Sequence, residues 1–314
     1  MGFAKMMLIC LSLVVAGVGQ AQTFESTHHT SHPADGNWVE LQGDADVMIP
    51  AVNLARIDAC WTYPYSIHPV YIENQTIRGT FFGDPSQADG WIRIIPAILH
   101  YSSFMSAVGA LDGTFNITDS DGVVGAFSSN ATGDASFSIP GMAAGLYALY
   151  IVDETSSTVL AASPLLVTEK VMEVAAPSEI SAGDLLPVKV QVANWSEGRP
   201  LVFGAIMLSD RDYRGLDLNI TGDGTISGTQ IAVAWKDDEF EIQGDFHPEW
   251  ELFAELLMIF PENSAAAVQD SPDGEVDLNL ITEESWVPGP YVLTCCSISE
   301  GTVVGINQTA VLIL

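Results

Sequence analysis

Residues 289–313 read Gly289-Pro-Tyr-Val-Leu-Thr-Cys-Cys-Ser-Ile-Ser-Glu-Gly-Thr-Val-Val-Gly-Ile-Asn-Gln-Thr-Ala-Val-Leu-Ile313, which is typical of a strand, a turn and a further strand. The same pattern begins at Gly145, so Gly289 minus Gly145 gives an offset of 144 residues. A gapless register over this length predicts two whole domains in tandem. The matching positions are Gly145 and Gly289, Tyr147 and Tyr291, Leu149 and Leu293, Ile151 and Cys295, Val159 and Val303, and Val167 and Val311.

The length of 314 residues also fits two domains, each large enough to bury a core. Alternation of apolar and polar residues predicts strands at 187–192, 201–208 and 229–235. The expected fold is therefore mainly β: two tandem antiparallel β-sandwich (Ig-like) domains. The first is expected at 41–168 and the second at 169–314.

One helix is predicted inside each domain. In the second domain, residues 248–260 lie between Pro248 and Pro261 and carry apolar residues at helical spacing. The offset of the repeat maps this segment close to residues 94–111, which are predicted as the helix of the first domain. The apolar positions of the second helix are Trp250, Phe253, Leu256, Leu257 and Phe260.

The first 21 residues combine one Lys, an apolar run at 6–15 and small residues around Ala21, which predicts a secretory signal peptide. Cys10 lies inside the apolar run, which argues against a lipoprotein. The apolar residues 310–314 are far fewer than the roughly 20 needed to span a membrane. The mature chain is expected to be exported without a membrane anchor, and residues 22–40 are expected to form an extended polar arm.

The charge balance limits the partners. Ten Lys and Arg against 40 Asp and Glu give a formal charge of −30. Phosphate backbones and anionic lipid would repel this chain, so nucleic acid is excluded as a partner. The charge suits a surface that stays hydrated or gathers cations.

Three cysteines remain after removal of the leader: Cys60, Cys295 and Cys296. An odd number in an exported protein suggests an intermolecular bridge or a free thiol. Strand alternation predicts Cys295 in the core and Cys296 on the opposite, exposed face. We therefore expect a disulfide through Cys296, with Cys60 as its partner; the alternative is inert buried thiols.

Several groups carry possible metal ligands. His28, His29 and His32 lie within five residues in the arm and could hold copper or zinc. Asp119, Asp121 and Asp134 flank predicted turns and could bind Ca²⁺, although the spacing is not that of an EF-hand. The acidic run that contains Asp237 and Asp238 could also hold a cation. Solvated or turn residues are the alternative in each case, so no cofactor is expected, with Ca²⁺ left open.

Three aromatic residues, Trp61, Tyr63 and Tyr65, follow one another at period two. On a strand their rings would share one face and could stack on sugars, although such rings also fill cores and interfaces. Pro64 and Pro69 predict an edge strand or an irregular connection here.

Sequons of the form Asn-X-Ser/Thr occur at Asn74, Asn116, Asn130, Asn194, Asn219 and Asn307. In an exported chain these are candidate glycosylation sites, although a chain rich in Asn, Ser and Thr also generates sequons by accident.

No motif for nucleophilic or metal-dependent catalysis is present in the sequence. The run from Asp237 to Glu241 lies near Trp235 and contains paired carboxylates, the chemistry of a glycoside hydrolase. Acidic runs are more commonly solvated surfaces, so no enzyme is expected.

The second half resembles the methanogen extracellular protein domain, which occurs in secreted proteins of methanogenic archaea. The resemblance extends from about residue 179 to the end, a little under half of the chain. It implies an archaeal surface or secreted location and no catalytic residues. The motifs that carry it are Ile180-Ser-Ala-Gly-Asp, Phe203-Gly-Ala-Ile-Met, Asp212-Tyr-Arg-Gly, Phe260-Pro-Glu-Asn-Ser and Gly289-Pro-Tyr-Val-Leu-Thr-Cys, with Pro164-Leu-Leu-Val-Thr upstream.

The expected function is a secreted structural protein of the archaeal cell envelope that assembles with itself and other envelope proteins into a sheath or surface lattice. By analogy, a subunit of the tubular sheath of some methanogens fits an acidic, tandem, unanchored β protein. The alternative is a secreted carbohydrate-binding or adhesive protein, and the third possibility is a secreted hydrolase.

Overall fold

The protein is described by a computed structural model for residues 30–31, 37–43, 45–49, 51–56, 59–63, 66–83, 89–96, 123–153, 159–195, 198–221, 230–235, 238–243, 263–299 and 302–314. Strands account for 66% of the structure and helices for 3%, in several sheets. The predicted mainly β class is therefore confirmed. The predicted signal peptide lies outside the described residues.

The first half contains two main sheets. Sheet 1 has the order β1-β2-β7-β10, and sheet 2 has the order β3-β6-β12-β11-β8-β9. The strands of this half are β1 (Thr30–Ser31), β2 (Trp38–Gln42), β3 (Ala45–Ile49), β4 (Ala51–Arg56), β5 (Ala59–Tyr63), β6 (Ser66–Ile72), β7 (Ile77–Phe82), β8 (Asp89–Pro96), β9 (Val123–Ser128), β10 (Ala135–Ile139), β11 (Gly145–Asp153) and β12 (Val159–Thr168).

The second half has the same arrangement. Sheet 3 has the order β13-β15-β21, and sheet 4 has the order β14-β23-β22-β16-β20. Its elements are β13 (Met172–Ala175), β14 (Glu179–Ile180), β15 (Leu185–Val192), β16 (Leu201–Ser209), α1 (Asp210–Arg214), β17 (Leu216–Thr221), β18 (Gln230–Trp235), β19 (Asp238–Gln243), β20 (Ser264–Ser271), β21 (Glu275–Ile281), β22 (Gly289–Ser299) and β23 (Thr302–Ile313).

The two halves share their strand order. In the order of neighbours across each sheet, strands β2-β7-β10 correspond to β13-β15-β21, and strands β6-β12-β11-β8-β9 correspond to β14-β23-β22-β16-β20. The pairs β6–β12 and β14–β23 are parallel, whereas the remaining pairs within these sets are antiparallel. The sequence repeat thus corresponds to a repeat of topology.

Each half has its own apolar core, built from both of its sheets. In the second half Val188 and Leu278 of sheet 3 join Phe203 and Leu293 of sheet 4 in one buried cluster. Strand β15 alternates between exposed and buried residues along its whole length, as a strand with one solvated face should. The corresponding cluster of the first half combines residues of sheets 1 and 2.

The repeat is not gapless at its last strand. Tyr147 lies opposite Leu165, whereas Tyr291 lies opposite Val311. Val311 therefore takes the place of Leu165, and the predicted equivalence of Val167 and Val311 is wrong by two residues. The cause is a longer second hairpin, because β22 has 11 residues and β11 has 9.

A fifth sheet combines strands from both halves, in the order β19-β18-β17-β4-β5. Strand β4 pairs with β17 in parallel, with Val52 opposite Leu218 and Leu54 opposite Ile220. Residues 51–63 and 216–243 were assigned to separate domains from the sequence. Their pairing links the two halves through backbone hydrogen bonds.

The segment expected to be an extended arm enters sheet 1 instead. Strands β1 and β2 pair with each other, and β2 also pairs with β7. Val39 and Leu41 are buried in the core of the first half. The expected polar arm is wrong here because apolar and polar residues alternate in Trp38-Val39-Glu40-Leu41, so every second side chain of the strand faces the core.

The two predicted helices are not confirmed. Residues 94–96 end strand β8, while the rest of 94–111 and all of 248–260 lie outside the described residues. The described helix, α1, was not predicted. Ser209 caps it by accepting a hydrogen bond from the Asp212 backbone N–H, and the chain leaves it at Gly215.

The second face of sheet 4 is covered by the first half. Val292, on the face of β22 opposite the core residue Leu293, packs with Met48 and Ile67 of the first half and with Tyr213 of α1. The two halves therefore lie against each other along this face.

Candidate assembly and binding surfaces

Strand β20 forms one edge of sheet 4. It pairs with β16 over eight consecutive residues without a shift of register, and no described strand pairs with its other side. Ala265 and Ala267 pack on the core, so Ala266 points to the opposite face. From Ser264 to Val268 the strand has no proline and no charge.

Natural edge strands are usually protected against pairing with other chains by charges, prolines, bulges or short length. None of these devices occurs in the first five residues of β20, and Asp270 near its end carries its one charge. This strand was not predicted from the sequence. Its sequence, Ser264-Ala-Ala-Ala-Val, alternates between apolar and polar residues too weakly to reveal an edge strand.

The outer face of sheet 3 is polar and mainly acidic at one end. Lys189 forms a 2.9 Å ion pair with Glu275, and Asp277 lies opposite Lys189 on the neighbouring strand. The hydrogen bond that Lys189 donates to the Glu275 carboxylate raises the pKa of Lys189 above its usual value. An open groove adjoins this pair and is lined by Pro177, Pro187 and Asn279. Such an exposed pair contributes little to stability.

Cys295 and Cys296 form no disulfide, and both are buried, with 0% and 3% of their surfaces exposed. The prediction that Cys295 lies in the core is confirmed, because it belongs to the buried cluster of the second half. The predicted exposure of Cys296 is wrong. The face of β22 that carries Cys296 is buried along with Val292 and Ile298, and the first half packs on it at Val292.

Burial also affects the chemistry of these thiols. Desolvation, and to a smaller extent the neighbouring Cys296, raises the pKa of the Cys295 thiol well above its usual value. A thiol with a raised pKa is a poor nucleophile at neutral pH. A cross-link between subunits through Cys296 would require the packed halves to separate. The Cys60 backbone lies on β5 opposite Ala55.

A polar cluster lies between the halves. The Tyr213 hydroxyl donates to the Met48 carbonyl at 2.8 Å, and Gln308 Nε2 donates to the Tyr213 hydroxyl at 3.4 Å. The same Nε2 also donates to Thr294 Oγ1. All these side chains are buried. This cluster fixes how α1 and sheet 4 meet the first half.

A tyrosine at the start of one strand in each half forms the same local contact. Tyr147 Oη donates to the Ala143 carbonyl at 2.8 Å, and Tyr291 Oη donates to the Val287 carbonyl at 3.1 Å. Each acceptor lies four residues upstream of its tyrosine. These two residues were matched in the sequence repeat, and the shared hydrogen bond confirms that they are equivalent.

The predicted metal ligands are not brought together in the described part of the chain, where no group of three or more His, Cys, Asp or Glu could hold a metal ion. Asp134 lies in the β9–β10 turn, where Thr132 Oγ1 donates to its carboxylate at 2.7 Å. Asp238 begins β19, opposite Trp235. The other candidates lie outside the described residues: His28, His29, His32, Asp119, Asp121 and Asp237.

Two of the three candidate stacking residues, Trp61 and Tyr63, lie two positions apart on β5. Among the described strands, β5 lies at the end of the fifth sheet, in agreement with the edge position predicted for this segment, but β6, which contains Pro69, lies between β3 and β12, so the prediction is wrong there. Tyr65 lies outside the described residues.

The candidate glycosylation sites differ in environment. Asn74, Asn130 and Asn194 are exposed, and Asn74 and Asn194 have positive φ. Asn307 is half-buried, and its Nδ2 donates to the Met172 carbonyl at 2.9 Å. The Asn219 backbone lies on β17, and Asn116 lies outside the described residues.

No protein-family model matches the chain, and neither does any curated protein. Within the described ranges, no helix has the length and apolar character needed to cross a membrane.

Proposed function

We propose that each half is a mainly antiparallel immunoglobulin-like β-sandwich, with the boundary between them near residue 169. The strand order that the two halves share supports this assignment, with three shared strands in one sheet and five in the other. The hydrogen bonds of Tyr147 and Tyr291 support it further, since a tyrosine bonded to the backbone a few residues upstream is a hallmark of such domains. One inserted helix in each domain stays a prediction.

The protein is proposed to be a secreted structural subunit of the archaeal cell envelope, which assembles with itself and with other envelope proteins into a sheath or surface lattice. The observation that carries this proposal is the unprotected edge strand β20. Unpaired backbone N–H and C=O groups along an edge bind a strand from another chain by β-augmentation. The resemblance to the methanogen extracellular protein domain agrees with an envelope location.

Charge would control this assembly. A formal charge of −30 makes subunits repel one another, so assembly is expected to need salt or a divalent cation such as Ca²⁺. Edge pairing supplies short-range attraction, and screening allows the subunits to approach. Assembly should therefore strengthen as ionic strength rises.

Sedimentation velocity of residues 22–314 at increasing concentration, with and without Ca²⁺, tests the proposal. The decisive variant is Ala266→Lys, because a lysine on an edge strand opposes pairing. Its matched control is Gln191→Lys, which adds the same charge at an exposed position on β15, a strand paired on both sides. We expect Ala266→Lys to abolish the assembly and Gln191→Lys to preserve it.

Two results would contradict the proposal. One is a wild-type protein that stays monomeric under all these conditions and is lacking from envelope preparations. The other is assembly that Ala266→Lys leaves unchanged, which would exclude β20 as the contact.

A second candidate function is carbohydrate binding or adhesion, favoured by Trp61 and Tyr63 on the edge strand β5. Aromatic rings at this spacing would offer one stacking surface. A glycan array should then detect binding that Trp61→Ala abolishes while the circular dichroism spectrum stays unchanged. Binding that survives this substitution would exclude the site.

A further inference from the structure

The six sequons can be compared by the contacts of the asparagine side-chain nitrogen Nδ2, which is the atom to which a glycan is attached. Transfer of a glycan joins Nδ2 to a bulky sugar, so this nitrogen must face solvent and must not be required by the fold. Asn130 and Asn307 are the two extremes among the described sequons.

Asn130 lies in the exposed turn between β9 and β10. Its Oδ1 accepts hydrogen bonds from the backbone N–H groups of Thr132 and Asp134, at 2.8 Å and 3.0 Å. The Thr132 hydroxyl, the third residue of the sequon, lies 2.6 Å from the same Oδ1. All the hydrogen bonds of the side chain therefore involve the oxygen, and Nδ2 is left for reaction.

The backbone of this turn supports the same arrangement. Asn130 N–H donates to the Asp134 carbonyl at 2.8 Å, and Gly133 N–H donates to the Asn130 carbonyl at 3.0 Å. The turn closes without help from Nδ2, so a glycan on this atom costs no hydrogen bond. Asn130, Ala131 and Thr132 are all exposed, which leaves room for the sugar.

Asn307 has the opposite arrangement. Its Nδ2 donates to the Met172 carbonyl, which ties β23 to the first residue of β13. Asn307 is half-buried on β23, and its neighbour Gln308 is fully buried. A glycan at Nδ2 would have to displace the packed strand β13.

We propose that Asn130 carries an N-linked glycan in the exported protein and that Asn307 does not. The donor is a lipid-linked oligosaccharide. The bond between sugar C1 and the lipid phosphate oxygen breaks, the bond between C1 and Nδ2 forms, and one amide proton passes to a base of the transferase. This proposal rests on the export that the proposed function assumes.

The test uses the full chain with the leader replaced by one of proven function, secreted from a host that has a sequon-dependent oligosaccharyltransferase. Export is then independent of residues 1–21, so a failure of the chain's own leader would not affect the result. Intact mass and glycopeptide mapping should find a glycan on Asn130 and none on Asn307.

Three variants sharpen the result. Thr132→Ala should lower the intact mass by one glycan, and Thr132→Ser, which preserves the sequon, should restore it. Thr309→Ala removes the sequon of Asn307 and should lower the intact mass by no glycan. Secreted protein without a glycan at Asn130, or with one at Asn307, would overturn the proposal.

Discussion

Tyr213 Oη donates a buried hydrogen bond of 2.8 Å to the backbone carbonyl of Met48, a residue 165 positions away in the sequence. Tyr213 lies on α1 of the second half, and Met48 lies on β3 of the first. Around them Leu208, Val292 and Ile67 form an apolar cluster that excludes water. This contact determines how the two halves meet.

Replacing Tyr213 by Phe is expected to lower the free energy of unfolding by about 1–3 kcal/mol, because it preserves the ring but removes two buried hydrogen bonds, the one to Met48 and the longer one from Gln308. Hydrogen exchange of β3 should become faster, since the bond holds that strand against α1. Urea denaturation and amide exchange measure the two effects. An unchanged exchange rate in β3 would mean that the apolar contacts alone hold the halves together.

Tyr150→Phe provides the matched control, and it should behave differently. Tyr150 is buried, and its hydroxyl makes no hydrogen bond with the part of the chain that the structure describes. Removing an unpaired buried hydroxyl relieves a desolvation cost of about 1–3 kcal/mol, so this variant should be as stable as the wild type or more stable.

Tyr291→Phe, which loses the bond to Val287, should be destabilised by about 1 kcal/mol.

Alkaline titration offers an independent test of Tyr150. Burial raises the pKa of its phenol far above the usual value of about 10. Above that pH the unfolded chain ionises this group and the folded chain does not. Stability is therefore fully present below pH 10 or so and falls as the pH rises further. The Tyr150→Phe variant should lose less stability over this range than the wild type.

The buried thiols predict a reactivity pattern. In a Cys60→Ser background of residues 22–314, Cys295 and Cys296 should resist a thiol reagent in the folded protein and react after denaturation. A moderate increase in pH should not make the Cys295 thiol reactive, because burial raises its pKa. Rapid modification of one thiol in the native state would contradict the burial of that residue.

Alanine substitutions at Gly274 and Gly198 would distinguish the cost of backbone strain from the cost of steric contact. Both have positive φ, but a Cβ at Gly274 would lie 2.5 Å from Trp195 Cβ, whereas nothing lies within 4 Å of one at Gly198. Ala at either position is expected to cost about 1–2 kcal/mol for the left-handed backbone. Gly274→Ala should cost more, because Trp195 must also move. Equal losses in thermal denaturation would show that Trp195 shifts freely.

The sequence determined the parts of the fold that depend on local pattern. The alternation in β15, β16 and the 289–313 hairpin was sufficient to predict strands and the mainly β class, because a strand with one buried face must alternate. The equivalence of Tyr147 and Tyr291 and the core position of Cys295 followed from the sequence repeat. The edge position predicted from Pro64 and Pro69 holds for β5, whereas β6, which contains Pro69, pairs on both sides.

Tertiary structure decided what lies on the second face of each strand. Period-two alternation separates the two faces of β22, but it cannot reveal that the face of Cys296 is buried as well. It also cannot reveal that β4 pairs with β17, or that β20 ends a sheet. These relationships depend on contacts between residues more than 100 positions apart, as for Tyr213 and Met48, and no local pattern records them.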